Sequence, residues 1–584
     1  MASFDTIIRG GRVVDGTGAP AFYADVGVAN GRIAAIGDLS AASAQKVIDA
    51  SARIVAPGHI TQHAHYDVAV FWNPYCSNSG ENGVTTVVNA NCGFGLAPVR
   101  PGDVERTMEM LSTTEQIPVS HQRAALPWDW ESFPQYLARV AQLPLGVNVL
   151  TYLPLNPLLV YVMGIDAAKS RQPNPAEIAQ MHRLINEAMD AGAIGISMSV
   201  MGEDGNSHID CDGTPMPTDR LTPESILEIC RGVVERGEGV IQMLSHLIVY
   251  GDRTISERTA RMAKGSGVTL LHNSFMTSEL FNHIAGDLAW LDGLRDEGCD
   301  VVASCMVNRG WVEAGLRQLD TAAGQLTAVR RITACRSDAE VLELLAQPSF
   351  VGDFVAEYAA KGAINGGNGL EGQTVIAVGE APDLQPCLDR TLGEIAAEDG
   401  RNVVEVLVDL GRRSKLALQL KSAQITSKDP RQAAQLMTHT AVVTGGSDGG
   451  AHTKSFGMGH VPTDLLIWLV RDEKLVSLEE MHFHLALKQA RSVQLRDRGA
   501  LLPGFWADVL IYDLDALHFD QRRYDIVHDM PQGDWRRKGR AGGYDYILVN
   551  GVVTHRRDTP TGATPGRLAR VTRDRGGVLA QAAE

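Results

Sequence analysis

The sequence predicts an α/β protein in which a long barrel is joined to a small β domain. Two observations support this fold class. Between residues 57 and 498, apolar strand-like runs alternate with helical patterns such as 175–191 and 222–236, and such alternation favours βαβ units and a parallel sheet. Short β-like runs without helical periodicity occupy both ends of the chain, over residues 1–56 and 499–560. About eight βα units would close a barrel, and the two ends would build one β domain together.

The N-terminal β segment is divided by turn signals. Runs at residues 6–8 and 12–14 are separated by Gly10-Gly11, and an Asn30-Gly31 pair separates two further apolar runs. Asn-Gly between such runs is a strong hairpin signal. Strand-like runs occur again near the C-terminus, where Asn550-Gly551 marks a second turn.

The predicted barrel strands are short apolar runs that end near polar or glycine-rich residues. They lie at residues 84–89, 147–152, 194–198, 240–244, 268–272, 301–304 and 441–445. The stretch around 313–436 is less regular and mostly helical, so we expect it to be an insertion in the barrel. Residues 561–584 form an Arg-, Gly- and Ala-rich tail, which is expected to cross a neighbouring subunit or to be mobile.

Composition restricts the functional classes. The 584 residues include 53 Lys and Arg against 69 Asp and Glu, which gives a net charge of −16. Such an acidic chain is a poor candidate for binding nucleic acid or an anionic membrane. Eight cysteines are too few for a disulfide scaffold in a chain of this length. None of them forms a CxxC pair, which argues against structural zinc knuckles.

The sequence also predicts a soluble, cytoplasmic protein. Its first residues contain neither a basic region nor an apolar run that would indicate a signal peptide. The longest charge-free stretch, residues 140–165, is interrupted by prolines and glycines. We therefore interpret it as a buried strand followed by a loop, and not as a membrane span.

His63 and His65 lie at the end of the first expected barrel strand. Side chains two positions apart on a strand point the same way, so two imidazoles can converge on one metal ion. The alternative is a chance His-x-His pair. His482 and His484 have the same spacing in a helical context, 478–490, where they would face different sides, and we interpret that pair as structural.

Cys92, His246 and His272 each follow a β-like run, at the position where a catalytic barrel places its ligands. Each residue alone is more typical of a core or capping side chain. Together they would form a Cys/His/His zinc site.

Asp448 lies in the glycine-rich stretch 444–450. A lone carboxylate there is usually part of an Asx-turn. At the end of the last barrel strand it can instead bind metal or act as a general base. His452 and His460 follow it as candidates for positioning or substrate contacts.

These motifs resemble the amidohydrolase superfamily, and within it the D-aminoacylase (N-acyl-D-amino-acid deacylase) branch. The similar segments span most of the chain, and the element that indicates the branch is Asn91-Cys92-Gly93. The similar segments are residues 7–16, 31–33, 57–60, 63–67, 83–87, 91–93, 192–197, 446–449, 497–499 and 503–508. The resemblance implies a distorted TIM-like (β/α)8 metal-hydrolase barrel with a β-sandwich domain formed from both termini.

The resemblance also implies the metal ligands. One tight Zn²⁺ would be held by Cys92, His246 and His272, with a second, weaker site near His63, His65 and Asp448. No lysine occurs between Lys46 and Lys169, which fits a branch in which cysteine replaces a bridging carboxylated lysine. Asp448 would take a proton from the metal-activated water and pass it to the leaving group.

Two departures from the family pattern concern the substrate. Asn273-Ser274 follows His272 where the deacylases often carry a second His and a Lys. His452 and Lys454 follow Asp448 where they often show His-Pro-Arg. The candidate substrate contacts are therefore His452, Lys454, Arg309 and Ser274.

The sequence favours a small-molecule amidohydrolase that cleaves an amide C–N bond. The alternatives are a metal hydrolase of another acyl bond (cyclic amide, carbamate, lactone or ester) and a non-catalytic barrel scaffold. A homo-oligomer is compatible with this type of chain.

Overall fold

The computed structural model describes residues 3–202, 208–245, 253–277, 283–319, 326–361, 369–444 and 446–571, and it confirms the α/β class. The strands are β1 (Ser3–Val13), β2 (Phe22–Ala29), β3 (Arg32–Gly37), β4 (Ser43–Asp49), β5 (Ile54–Pro57), β6 (His59–Thr61), β7 (Val84–Asn89), β8 (Asn148–Thr151), β9 (Leu153–Pro154), β10 (Gly195–Ser199), β11 (Val240–Leu244), β12 (Thr269–Met276), β13 (Val301–Met306), β14 (Glu313–Ala314), β15 (Thr374–Val378), β16 (Leu418–Lys421), β17 (Val442–Thr444), β18 (Val509–Tyr512), β19 (His518–Val527), β20 (Arg536–Gly542), β21 (Tyr544–Val549), β22 (Val552–Arg556) and β23 (Thr559–Pro560).

The α-helices are α1 (Val104–Thr114), α2 (Val119–Ala125), α3 (Phe133–Val140), α4 (Leu155–Met163), α5 (Ile165–Ser170), α6 (Pro175–Ala191), α7 (Pro223–Arg236), α8 (Thr254–Ala263), α9 (Ile284–Asp296), α10 (Thr327–Thr333), α11 (Asp338–Leu345), α12 (Pro348–Lys361), α13 (Leu392–Asp399), α14 (Val403–Arg413), α15 (Pro430–Thr438), α16 (Val461–Leu465), α17 (Leu478–His482) and α18 (Lys488–Ser492).

Side-chain caps explain where the two predicted helices begin. The Asn174 side chain accepts hydrogen bonds from the Ala176 and Glu177 N–H groups, while Glu177 accepts from the Asn174 N–H, so a capping box starts α6. Helix α7 begins one residue later than the predicted range because Thr222 is its N-cap and accepts from the Ser225 N–H.

The two ends of the chain share one sheet. Its order is β23-β22-β21-β18-β5-β1-β2-β3, with β4 also paired to β1. Strand β18 pairs antiparallel with β5, which joins the C-terminal strands to the N-terminal ones. Both predicted Asn-Gly turns are confirmed, because the hairpins β2–β3 and β21–β22 turn at Asn30-Gly31 and Asn550-Gly551.

The prediction of a turn at Gly10-Gly11 was wrong. Strand β1 runs through both residues, and its pairing with β2 shifts register between Ile8 and Gly11. Gly10 has φ of 69°, a conformation that glycine adopts without strain. The glycine pair is therefore a β-bulge inside a continuous strand.

Parallel strands form the centre of the molecule. One sheet has the order β17-β13-β12-β11-β10-β9 and another has β6-β7-β8, with Tyr152 between β8 and β9. The far ends also meet, since the His65 N–H donates to the Gly449 carbonyl at 2.7 Å within a parallel bridge between Ala64 and Gly449. The segments that follow β6 and β17 therefore lie side by side, at the carboxyl ends of their strands.

One apolar cluster contains side chains from the strands of both parallel sheets. Its members include Ile60, Val88, Leu150, Ile194, Val240, Leu271 and Val443, with Val302 packed against them. On the other side of the strands, Ile196 and Ile241 belong to the large core that also contains Met181 and Ile185 of α6 and Ile229 and Val233 of α7. The strands are thus buried on both faces, as parallel strands usually are.

The stretch predicted as a mostly helical insertion has a hydrophobic core of its own. All members of this cluster lie between Leu316 and Leu420. Helices α10 to α14 contribute to it, and the short antiparallel sheet β14-β16-β15 adds strands that the sequence pattern did not predict. Helix α15 differs, because its buried residues pack with the large core.

The charge-free stretch at 140–165 contains more helix than predicted. The strand is present as β8 and β9, but the expected loop is helix α4. In the described ranges, no helix combines the length and the apolar character that crossing a membrane would require.

The first part of the tail lies against its own chain, which corrects the expectation of an arm or a mobile segment for residues 561–571. The Gly566 N–H donates to the Leu145 carbonyl at 2.7 Å, and Arg567 and Ala569 pair with Val149 of β8. Ala569 is buried in the cluster that the parallel strands surround. The tail therefore covers the amino-terminal side of β8.

Removing this tail is expected to destabilise the protein. A chain ending at Pro560 loses the main-chain hydrogen bonds to Leu145 and Val149 and the burial of Ala569. At about 1 kcal/mol for each hydrogen bond, the loss is a few kcal/mol. Urea unfolding measures it, with a chain ending at Val571 as the control, because that chain keeps every contact named above. Equal midpoints for the two chains would contradict the assignment.

Candidate metal centre

Four predicted residues meet where β6, β7 and β17 end. His63 and His65 follow β6 by two and four residues, so they lie just beyond the strand on which they were predicted. The two Nε2 atoms are 3.4 Å apart, and the Cys92 Sγ is 3.4 Å from His63 Nε2. Asp448 Oδ1 is 3.1 Å from His63 Nε2 and 3.8 Å from His65 Nε2.

This donor set fits a zinc ion. With zinc–ligand bonds of about 2.0–2.3 Å and tetrahedral angles, donor atoms lie about 3.3–3.6 Å apart. The measured separations between the donors of His63, His65, Cys92 and Asp448 bracket that range. Imidazole nitrogen, thiolate and carboxylate are the ligands that zinc prefers. Of the described residues, His63, His65 and Cys92 form the compact group suited to holding an ion.

A tight turn after β7 presents Cys92. Ala90 and Cys92 have φ values of 58° and 57°, and the Cys92 N–H donates to Gln242 Oε1 of β11 at 2.9 Å. Gly93 has φ of 81°, and a Cβ on it would lie 3.0 Å from the Met198 Cα. A side chain at this position would be strained and crowded, so glycine is required for the turn that holds the thiol.

Asn91 joins this turn to the histidine loop. Its Nδ2 donates to the Val88 carbonyl at 2.9 Å and to the Ala64 carbonyl at 3.2 Å. Ala64 lies between His63 and His65, so one buried amide fixes the distance between the histidine pair and Cys92.

The glycine-rich stretch allows Asp448 to approach the histidines. Ser447 Oγ donates to the His63 carbonyl at 3.0 Å. Gly449 and Gly450 lie so close to Tyr66 and His65 that a Cβ on either would be 2.7 Å or less from a neighbouring atom. The close approach of Asp448 to the histidines therefore depends on both glycines.

Burial and neighbouring charges shift the pKa values of the side chains in this cluster. Burial raises the pKa of Asp448, but the hydrogen bond with His63 and the charges of His63, His65 and His452 outweigh it, and the pKa lies well below its usual value. Burial lowers the pKa of His65 to about 3. Burial, with Glu115 and Asp448 nearby, raises the pKa of the Cys92 thiol. A divalent cation would offset the cost of the thiolate here.

His272, a predicted ligand, contacts two helices in this structure. Its Nδ1 is 3.1 Å from Ser256 Oγ on α8, and its ring centroid is 4.9 Å from that of Trp290 on α9. The residue of β12 that faces the cluster is Asn273, whose Nδ2 is 2.7 Å from His63 Nδ1. The other predicted ligand, His246, lies outside the described residues.

Two proposed substrate contacts are occupied by internal ion pairs. Lys454 Nζ lies 2.6 Å from Asp534 Oδ2, and the Arg309 guanidinium pairs with Asp464 at 2.5 Å. Because each cation already has a carboxylate partner, the geometry argues against either as a free clamp for a substrate carboxylate.

The remaining candidates have different surroundings. His452 lies beside the centre, since its Nε2 is 4.0 Å from Glu115 Oε2 and its side chain is 23% exposed. Ser274 is partly buried next to Asn273. His460 is turned away, with its Nδ1 2.7 Å from the Gly457 carbonyl and its ring against Phe519.

The His482 and His484 pair is helical, as predicted, and serves packing. His482 stacks on His59 and its Nε2 is 2.6 Å from the Tyr512 hydroxyl. His484 Nδ1 is 3.2 Å from Lys488 Nζ.

Two residues of the site belong to no sequence motif from which they could have been predicted. Glu115, 4% exposed at its side chain, follows α1 and places its Oε1 3.6 Å from His65 Nδ1. Burial and the charges of Asp448 and Asp67 raise the pKa of Glu115. His208 packs on Phe94, and burial together with the charge of His452 lowers its pKa to about 4. Both residues come from loops distant in sequence from the histidine pair.

A cavity lies beside Asp448. Its lining is largely apolar and includes Phe456, together with Arg536 and Arg537 from β20. Each arginine is ion-paired with a carboxylate of the chain itself at 2.6 Å. The hairpin β19–β20, which the sequence analysis did not predict, therefore contributes one wall next to the centre.

Comparison with known proteins shows the family of the chain. The model of the amidohydrolase family, Amidohydro_3, matches residues 46–225 and 350–555. N-acyl-D-glutamate deacylase from Alcaligenes xylosoxydans xylosoxydans is 27% identical over 97% of this chain and 96% of its own length. D-aminoacylase from the same organism is 26% identical over 97% of each chain.

A solved structure shares the fold. N-acyl-D-glutamate deacylase from Bordetella bronchiseptica, solved with zinc and a phosphonate inhibitor, superposes with a TM-score of 0.65 at 23% identity. The superposition covers 97% of this chain and all of that one. The resemblance inferred from the motifs is confirmed: the chain belongs to the amidohydrolase family, in the D-aminoacylase branch of its superfamily.

Proposed function

We propose that this protein is a zinc-dependent amidohydrolase that cleaves the amide C–N bond of an N-acyl-D-amino acid. The observation that carries the proposal is the convergence of His63, His65, Cys92 and Asp448 in a chain of this family. Full-length similarity to D-amino-acid deacylases supports the substrate class.

The proposed architecture is a distorted (β/α)8 barrel with a β-sandwich domain. The shared apolar cluster and the bridge between Ala64 and Gly449 support closure of the parallel strands. The terminal sheet and the hairpin β19–β20 would form the sandwich from residues 1–56 and 499–560. The barrel would span 57–498, with the insertion ending before α15, because that helix packs with the large core.

His63, His65, Cys92 and Asp448 would hold the ion. A zinc ion bound there supplies Lewis acidity, which polarises the scissile carbonyl and makes water more acidic. Glu115 faces the ring nitrogen of His65 that points away from the cluster, and a carboxyl group at that nitrogen would orient the ring of a ligand histidine.

Asp448 is the proposed general base. Its side chain is 25% exposed, so one oxygen can face the histidines while the group remains accessible to substrate and water. The lowered pKa keeps it ionised at neutral pH. It would accept a proton from the attacking water and return it to the leaving nitrogen, as a positioned carboxylate does in general acid–base catalysis.

The ion pairs of the candidate cations and of the cavity arginines favour a substrate without a second negative charge. Lys454, Arg309, Arg536 and Arg537 each have a carboxylate partner within the chain. A D-glutamate or D-aspartate side chain would have to compete with those partners. The same observation favours the second candidate function, hydrolysis of a less anionic acyl bond in a cyclic amide, carbamate, lactone or ester.

A substrate screen on the zinc-loaded protein tests both functions. We expect release of free amino acid from N-acyl-D-amino acids with neutral side chains, with a higher kcat/KM than for N-acyl-D-glutamate and the matched L-enantiomers. Faster turnover of a cyclic amide, carbamate, lactone or ester would favour the second function. Zinc-loaded protein that hydrolyses none of these compounds would contradict both and favour a non-catalytic scaffold.

A further inference from the structure

Strand β12 points two neighbouring polar side chains in opposite directions. His272 contacts Ser256 of α8 and Trp290 of α9. Asn273 contacts His63, with 2.7 Å between its Nδ2 and the His63 Nδ1. Successive side chains of a strand alternate between its faces, so the strand cannot present both residues to the metal centre in this register.

The Asn273 side chain is held on its other side. Ser304 Oγ of β13 donates to Asn273 Oδ1 at 2.6 Å, and both residues are buried. The His63 ring is therefore contacted at Nε2 by the metal-ligand cluster and at Nδ1 by a fixed amide. The sequence analysis named Asn273 only as a departure from the family pattern and gave it no role in the metal centre.

We propose that β12 serves the metal centre through Asn273, which positions the ring of His63, and that His272 is not a ligand. This inference rests on the proposed metal-dependent function. When Nε2 of a histidine binds an ion, its Nδ1 carries the proton and needs an acceptor. A carboxamide can present either its oxygen or its NH₂ group, and a serine hydroxyl can accept or donate. The Asn273–Ser304 pair can therefore serve His63 with and without the ion.

A neutral amide also suits the charge of the site. A Cys92 thiolate and an Asp448 carboxylate together balance the two charges of a zinc ion. An amide orients His63 without adding a third negative charge, whereas most second partners of ligand histidines are carboxylates, main-chain carbonyls or water. Strand β12 would thus support the metal centre by a hydrogen bond from Asn273 to His63, and not by a metal ligand of its own.

Metal binding tests the inference without using activity. Zinc affinity is measured by competition with a chromophoric chelator, and Co²⁺-loaded protein is examined by its thiolate and ligand-field absorption. Asn273→Leu, which keeps the size and removes the hydrogen bond, is expected to weaken binding about 10–100-fold and to shift the Co²⁺ bands. In Asn273→Asp, the carboxylate can accept a hydrogen bond from the His63 Nδ1–H. This variant is therefore expected to restore the zinc affinity and the Co²⁺ spectrum. His272→Gln is expected to leave both unchanged.

The outcomes separate this inference from the proposal on which it rests. Loss of the ion in His272→Gln, or wild-type affinity in Asn273→Leu, would overturn the inference while zinc binding by the wild-type protein stands. Equal weakening by the Leu and Asp variants would also overturn it, because the role would then be structural. A wild-type protein that binds no zinc would refute the metal-dependent function itself.

Discussion

Asp448→Asn is expected to lower kcat by a factor of about 10²–10⁴, the usual contribution of a positioned general base. An asparagine at this position keeps the size of the side chain and an oxygen toward His63, but it cannot take a proton from the attacking water. Steady-state kinetics on the best substrate of the screen measures the effect. The loss should fall mainly on kcat, because the substitution changes proton transfer more than it changes binding.

The bound metal must be measured in the same variant. Asp448 Oδ1 lies among the ligand atoms at 3.1 Å from His63 Nε2, so a loss of zinc would also lower turnover. Kinetics are therefore compared at equal zinc content. The surface variant Asp38→Asn is the control for the effects of purification and zinc loading. Full turnover by zinc-loaded Asp448→Asn would show that another group is the base.

Cys92→Ala is expected to abolish stoichiometric zinc binding, and activity with it. The thiol is the sulfur donor of the cluster and lies 3.4 Å from His63 Nε2. Metal analysis of purified protein measures the loss. A second measurement is thermal unfolding, because an ion that binds only the folded state stabilises it by about 2.7 kcal/mol when its concentration is 100 times Kd. The wild-type melting temperature should rise with zinc, and that of Cys92→Ala should not.

Cys76→Ala provides the matched control. Cys76 is completely buried, and burial raises the pKa of its thiol to a value at which it remains protonated. It does not belong to the compact group formed by His63, His65 and Cys92 in the described residues. This variant should keep its zinc. Stoichiometric zinc in Cys92→Ala would refute the assignment of the thiol.

The strongly periodic elements could be predicted from the sequence because local interactions decide them. Helix α6 has the predicted bounds, since its cap residues lie within the same segment. The Asn-Gly hairpins form where predicted, because the turn type depends on the two residues themselves. The glycine pair at residues 10–11 was misinterpreted, because a bulge and a turn use the same φ > 0 conformation, and only the pairing with β2 distinguishes them.

The residues of the candidate site also divide into those that the sequence could indicate and those that it could not. His63, His65, Cys92 and Asp448 could be proposed because each follows a strand that ends at the same edge, and such residues meet in a parallel α/β protein. Glu115 and His208 could not, because they reach the centre from loops with no distinguishing spacing. Lys454 and Arg309 were plausible as free cations until their carboxylate partners, distant in sequence, were located.

The sequence by itself determined the family, the α/β class and which strand ends carry candidate metal ligands. The tertiary structure decided which of those side chains reach the centre. His272 and Asn273 are adjacent in the sequence, and their order says nothing about the face to which each belongs. The register of β12 against β11 and β13 assigns one to the helices and the other to His63, because a one-residue change of register exchanges the two faces of a strand.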